Sequence, residues 1–100
     1  MSPYGALAEP HRRQILDLLR AGERPAGALV EQLSLSQPGV SKHLKVLREA
    51  GLVTVRTDGK RRVYALRAEP LAEVDEWLAD YRAFWTGRLD DLERHLEDNP

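Results

Sequence analysis

The sequence predicts a mainly α chain with one small β-hairpin and a long C-terminal amphipathic helix. Three observations carry that reading. Apolar residues recur at helical spacing up to about position 50, the pattern changes to alternation on either side of Asp58-Gly59, and a helical stripe returns from Leu71 onward. With 100 residues, 42% hydrophobic and 31% charged, the chain has the size and balance of one ordinary globular domain.

The elements follow in order. Tyr4 to Ala8 is apolar and short, the mark of a helix of one or two turns. Pro10 suits a first helical position, and Ile15, Leu18 and Leu19 keep helical spacing until Gly22, which predicts a helix over about Pro10 to Ala21. Pro25 punctuates, after which Ala28, Leu29 and Leu33 mark a helix of about two turns ending at Ser34 to Ser36. Ser36 is a good N-cap and Pro38 is tolerated in a first turn. Val40, Leu44 and Leu47 form an i, i+4, i+7 stripe that Gly51 closes, so a helix runs over about Gln37 to Ala50. LVTVRT and RRVYALR then alternate about a turn at Asp58-Gly59, predicting a two-stranded hairpin over Leu52 to Thr57 and Arg61 to Leu66. Its inward residues are Val63 and Ala65, with Leu66 or Tyr64 as further candidates. From Pro70, the residues Leu71, Val74, Leu78, Tyr81, Trp85, Leu89, Leu92 and Leu96 step by three or four, one amphipathic helix of some seven turns. At about 1.5 Å per residue it is roughly 40 Å long, more than the rest of the chain can cover, so a second copy is the natural partner. Residues 1–67 are thus expected to form a helix-turn-helix with a wing, and residues 68–100 a dimerisation helix of the same compact domain.

Composition excludes several functions. No cysteine is present, which removes disulfides, thiolate metal sites and thiol redox sensing. No apolar run approaches the roughly 18 residues of a membrane span, and MSPYGALAEPHRR lacks the basic and apolar regions of a secretory signal; a cytoplasmic protein is expected. No Ser/His/Asp or Cys/His set and no phosphate-cradling glycine loop points to catalysis.

The formal net charge of −1 conceals a division along the chain. Residues 1–36 carry four basic and four acidic side chains. Residues 37–67 carry eight basic against two acidic, a net +6, and residues 68–100 three basic against ten acidic, a net −7. The basic third coincides with the predicted second helix and hairpin, which points to double-stranded DNA as the partner. In a helix-turn-helix the second helix enters the major groove by its N-terminal end, where free N–H groups favour phosphate. With Val40, Leu44 and Leu47 buried, the exposed side of that helix presents Gln37, Pro38, Ser41, Lys42, Lys45 and Arg48, with His43 and Gly39 on its flanks and Ser36 at its cap as further DNA-binding candidates. Gln37, Ser41 and Lys42 suit base edges, while Lys45 and Arg48 suit phosphates. Lys60, Arg61 and Arg62 put three cations at or beside the hairpin tip, suited to the backbone or minor groove. The alternative function is a winged-helix module that contacts protein and binds no specific DNA.

LSQPGVSKHLKVLREAGLV followed by RTDGKRRVYAL resembles the recognition helix and wing of the arsenic-repressor-type (ArsR/SmtB) family of winged-helix transcriptional regulators, and AEPHRRQILDLL resembles that family's preceding core helix. The resemblance implies a homodimer paired through its first and last helices, binding a near-palindromic operator as a repressor that an effector releases. Leu7, Leu71, Val74, Leu78, Tyr81, Trp85, Leu89 and Leu92 are the implied interface. His43 matches the family's recognition-helix histidine, for which a DNA-facing or supporting role is implied. Metal-sensing members carry a C-x-C-type motif before the turn, where this chain reads ERPAGALVEQL; another family site uses Asp and His of the last helix, where this chain has His95 as its one histidine. The segment DEWLADYRAFWTGRLDDLERHL instead resembles the last helix of metal-independent members. His11, beside Arg12 and Arg13, shows no ligand partners in the sequence. No metal and no cofactor are therefore expected. Trp77, Tyr81, Phe84 and Trp85 read as dimer core, with an aromatic pocket for a small organic effector as the alternative.

Overall fold

The computed structural model describes residues 2–98, with eight elements in the order α1 (Pro3–Leu7), α2 (Pro10–Arg20), β1 (Arg24–Pro25), α3 (Ala26–Leu33), α4 (Gln37–Glu49), β2 (Val53–Asp58), β3 (Arg61–Leu66) and α5 (Leu71–Asp98). The predicted helices are all present. Among the described residues, no helix is long and apolar enough to cross a membrane.

Chain chemistry explains the boundaries. Glu9 caps α2, its carboxylate accepting the Arg12 N–H at 3.1 Å, and Pro10 occupies the first helical position. The Arg12 Nε donates to the Ala6 carbonyl at 2.7 Å and Arg13 donates to the Leu7 carbonyl at 2.7 Å, so α2 satisfies the C-terminal carbonyls of α1. Between α3 and α4 the chain turns through Ser34, at φ 54°, ψ 31°, and Ser36, whose Oγ accepts the Gly39 N–H at 3.1 Å. A Cβ on Gly39 would stand 3.1 Å from that Oγ, so the small residue lets the cap sit close. The α4 C-terminus closes at Gly51, φ 75°. The Gly51 N–H donates to Arg48 O and the Leu52 N–H to Leu47 O, at 3.0 and 2.9 Å, while fully buried Leu47 and Leu52 provide the accompanying apolar contact.

The sheet corrects the expected two-stranded hairpin. It has three antiparallel strands in the order β1-β3-β2, because Arg24 and Pro25 pair with Tyr64 and Val63. Two residues ending in a proline carry no strand pattern of their own; Pro25 is accommodated because β1 is an edge. The turn also moves by one residue. Asp58 pairs with Arg61, leaving Gly59 and Lys60 as the loop, with Gly59 alone at positive φ, the glycine-first pattern of a type II′ turn. In β3 the expected Val63 is buried, and so is Tyr64: Tyr64 and Leu66 pack on the main core opposite Val55 and Val53, while Val63 is buried on the other pleat, paired with Pro25, and Ala65 is half-buried.

Ile15, Leu16, Leu19, Leu29, Val40, Leu44, Leu47 and Leu52 form the core under the helices. Leu16 replaces the expected Leu18, which is half-buried. The helix α5 behaves differently. Leu71, Val74 and Leu78 are half-buried, but every described residue from 79 to 97 is exposed. The radius of gyration, 18.4 Å, far exceeds the roughly 13 Å of a compact chain of this length, since α5 extends well past the body.

Candidate nucleic-acid interface

The helix α4 divides its residues by period. Val40 and Leu44 are 1% exposed and Leu47 fully buried, which fixes the rotation of the helix and leaves Gln37, Ser41, Lys42, Lys45 and Arg48 on its open side. Ser36 and Gly39 lie at the first turn, the serine exposed and the glycine half-buried. Lys60, Arg61 and Arg62 are exposed at the tip of the β2-β3 hairpin, with the Asp58 carboxylate 3.5 Å from Arg61. A further hairpin cation, Arg56, is engaged elsewhere. It pairs with Glu23, and that guanidinium holds the Glu23 carboxyl below the usual carboxylate range by hydrogen bond and by charge.

His43 is set apart from this open face. It is half-buried and packs against α2, its ring stacked on His11 with centroids 5.7 Å apart and planes 25° apart. The Glu9 carboxylate reaches toward a nitrogen of each ring. One carboxylate oxygen is 2.8 Å from His11 Nδ1 and the other 3.9 Å from His43 Nδ1. Partial burial disfavours the Glu9 charge, but the His11 ring and the Arg12 N–H outweigh it and hold the carboxyl below its ordinary range. His11 thus has the partners that the sequence did not show: Glu9 stands two residues before it, but His43 comes from a helix 32 positions on, and only the packing of α4 on α2 unites them.

The aromatic residues of α5 are half open to solvent. Tyr4, Trp77, Tyr81 and Trp85 follow one another with ring centroids 5.9, 5.1 and 6.3 Å apart, and Arg88 lies over the Phe84 ring at 5.6 Å. Tyr4 belongs to α1, and its hydroxyl donates to the Glu73 carbonyl at 3.2 Å, so α1 and the start of α5 are joined. Its place in this aromatic series is absent from the sequence reading, where Leu7 stood for α1. Leu7 is half-buried against the core.

The helix-turn-helix domain model matches residues 7–56, half of the chain, from the end of α1 into β2. This chain belongs to the ArsR family of winged helix-turn-helix transcriptional regulators. It is 32% identical to the transcriptional repressor SdpR of Bacillus subtilis over 78% of this chain and 87% of that one. It is 44% identical to the HTH-type transcriptional regulator Rv2034 of Mycobacterium tuberculosis over 86% of this chain and 78% of that one. The crystal structure of the ArsR family transcriptional regulator RHA00566 superposes with a TM-score of 0.72 at 30% identity, covering 83% of this chain and 86% of that one. As a member of the ArsR family the protein is a DNA-binding regulator of transcription and not an enzyme.

Proposed function

We propose that the protein is a homodimeric, sequence-specific repressor, working in the cytoplasm, that grips a near-palindromic operator with the open face of α4 and the β2-β3 wing of each subunit. The observation that carries this reading is the division of α4: its apolar stripe is consumed by the core while Gln37, Ser41, Lys42, Lys45 and Arg48 are open to solvent. Gln37, Ser41 and Lys42 read bases; Lys45, Arg48 and the wing cations Lys60, Arg61 and Arg62 hold phosphates. Ser36 contributes through the first turn, its Oγ accepting the Gly39 N–H while its O–H is left to donate. His43, turned to α2, supports the helix from behind. Homodimerisation is supported by α5, where Trp77, Tyr81, Phe84, Trp85, Leu89, Leu92 and Leu96 are each 46–65% exposed on one chain. Burial in a partner accounts for these side chains better than an effector pocket, since they line an open helix face.

The test is binding to its own promoter DNA by mobility shift at two salt concentrations. Affinity should fall steeply with salt, the slope of log affinity on log salt being about 0.9 per phosphate contact, so that the Lys42→Ala/Lys60→Ala variant binds more weakly with a slope shallower by one to two contacts. Salt-insensitive binding, or binding unchanged in that variant, would overturn the reading and favour a module that contacts protein.

A further inference from the structure

We infer that Glu9, His11 and His43 form a site for a first-row divalent transition cation, Zn²⁺ being the representative probe, which braces the DNA-reading helix α4 against the start of α2. The site lies at neither position that the family resemblance implies for metal, and it replaces the expectation that this chain binds none. Metal binding here does not depend on the DNA-binding reading, so each can fail without the other.

The donors suit such an ion. One ligand atom from each of the three residues lies within 4.8 Å of the other two, and among the described residues this is the set of three that so converges. Two imidazoles and one carboxylate, with no thiolate, favour Zn²⁺, Ni²⁺ or Co²⁺ and leave a position for water; Mg²⁺ and Ca²⁺ demand more oxygen donors. In a tetrahedral site with bonds of about 2.0–2.1 Å, ligand atoms stand about 3.3 Å apart, so the set must contract by about 1.5 Å at its widest. Side-chain rotation supplies that, since the three side chains are 31%, 43% and 20% exposed for Glu9, His11 and His43 and none is locked in the core. The same exposure gives the ion a way in.

Both elements are fixed beneath these side chains. Glu9 is the N-cap of α2, its Oε2 held by the Arg12 N–H, and His43 sits between the buried Val40 and Leu44 turns of α4. A partner that orients a ligand is part of a working metal site. Arg12 opposes the ion: its NH1 is 3.5 Å from His43 Nδ1, at the limit of a hydrogen bond. That contact yields, with His43 offering either ring nitrogen, while the same guanidinium keeps its bonds to the Ala6 and Gly5 carbonyls at 2.7 and 3.2 Å. Its charge sets the affinity below that of a site without a neighbouring cation.

The experiment uses the full chain. Co²⁺ titration should give visible d–d absorption saturating at one ion per chain, Zn²⁺ should displace it, and Zn²⁺ should raise the thermal midpoint. In His11→Gln, whose side chain is the most exposed of the three, affinity should fall at least about tenfold and the Zn²⁺-induced rise in midpoint should vanish, with the helical circular dichroism of the metal-free chain retained. His43→Gln should lose binding likewise; if it does not fold, His11→Gln decides alone. NMR should show the His11 and His43 ring signals responding to Zn²⁺. Absence of the cobalt absorption, or its loss in His95→Ala but not in His11→Gln, would overturn the proposal.

Discussion

The helices α4 and α5 are both amphipathic, and both were written by the same three-and-four spacing of apolar residues, yet the fold uses them oppositely. In α4 the stripe meets α2, α3 and the sheet within its own chain, and Val40, Leu44 and Leu47 disappear from solvent. In α5 only the first two turns touch the body, and Leu89, Leu92 and Leu96 are 65%, 54% and 60% exposed. A stripe therefore states that a face must be covered without stating by what. Length decides the source: α4 has 13 residues and fits across the body, while α5, with 28 residues and about 42 Å, outruns it.

The largest effect expected from this contrast comes from α5. Trp85→Asp combined with Leu89→Asp places two carboxylates on the open stripe. The variant should be monomeric by analytical ultracentrifugation with helical circular dichroism retained, and its operator affinity should drop about a hundredfold or more as the two reading heads lose their linkage. A variant that still dimerises would remove α5 from the interface. The next effect belongs to α4. Leu44→Ala should cost about 2–5 kcal/mol in urea denaturation, the penalty of a cavity in a closed core, whereas Leu92→Ala introduced into the monomeric variant should cost less than about 0.5 kcal/mol. Equal costs would mean that the two stripes are covered alike and would end the comparison.

What could be read in advance follows the same line. Local signals were legible: the Ser36 cap, the Val40/Leu44/Leu47 stripe, the closing Gly51 and the alternating strands all act within a few residues of the chain. Pairings across long separations were not. β1 has two residues and gains its strand character only from β3, some 40 positions away. The phase of β3 depends on which pleat the helices cover, which places Tyr64 inward although Val63 fits the alternation equally well. His11 looked solitary among arginines because its stacking partner, His43, lies on another helix. The open face of α4 was legible because it is the complement of a stripe. The inward turn of His43 was not, since its position lies at the border between stripe and face.

The smallest expected effect tests whether the wing is held by chemistry outside the reading head. Arg56 lies on β2 yet is paired with Glu23, just before β1, so it fastens the hairpin to the body and is diverted from DNA. The Glu23 carboxyl is held below its ordinary value by that guanidinium. A carboxylate whose folded-state pKa is lowered adds stability that is complete above the unfolded value, about 4.3, and is lost as the pH falls through the folded one. Glu23→Gln should therefore be slightly less stable than the parent at pH 7. The difference should close as the pH drops below about 4, and added salt should narrow it at pH 7, because both side chains are exposed. Operator affinity should change little, or rise if the released Arg56 finds phosphate. A stability difference that persists unchanged to pH 3 would mean that Glu23 acts through packing, and that the wing is held by its strand pairing alone.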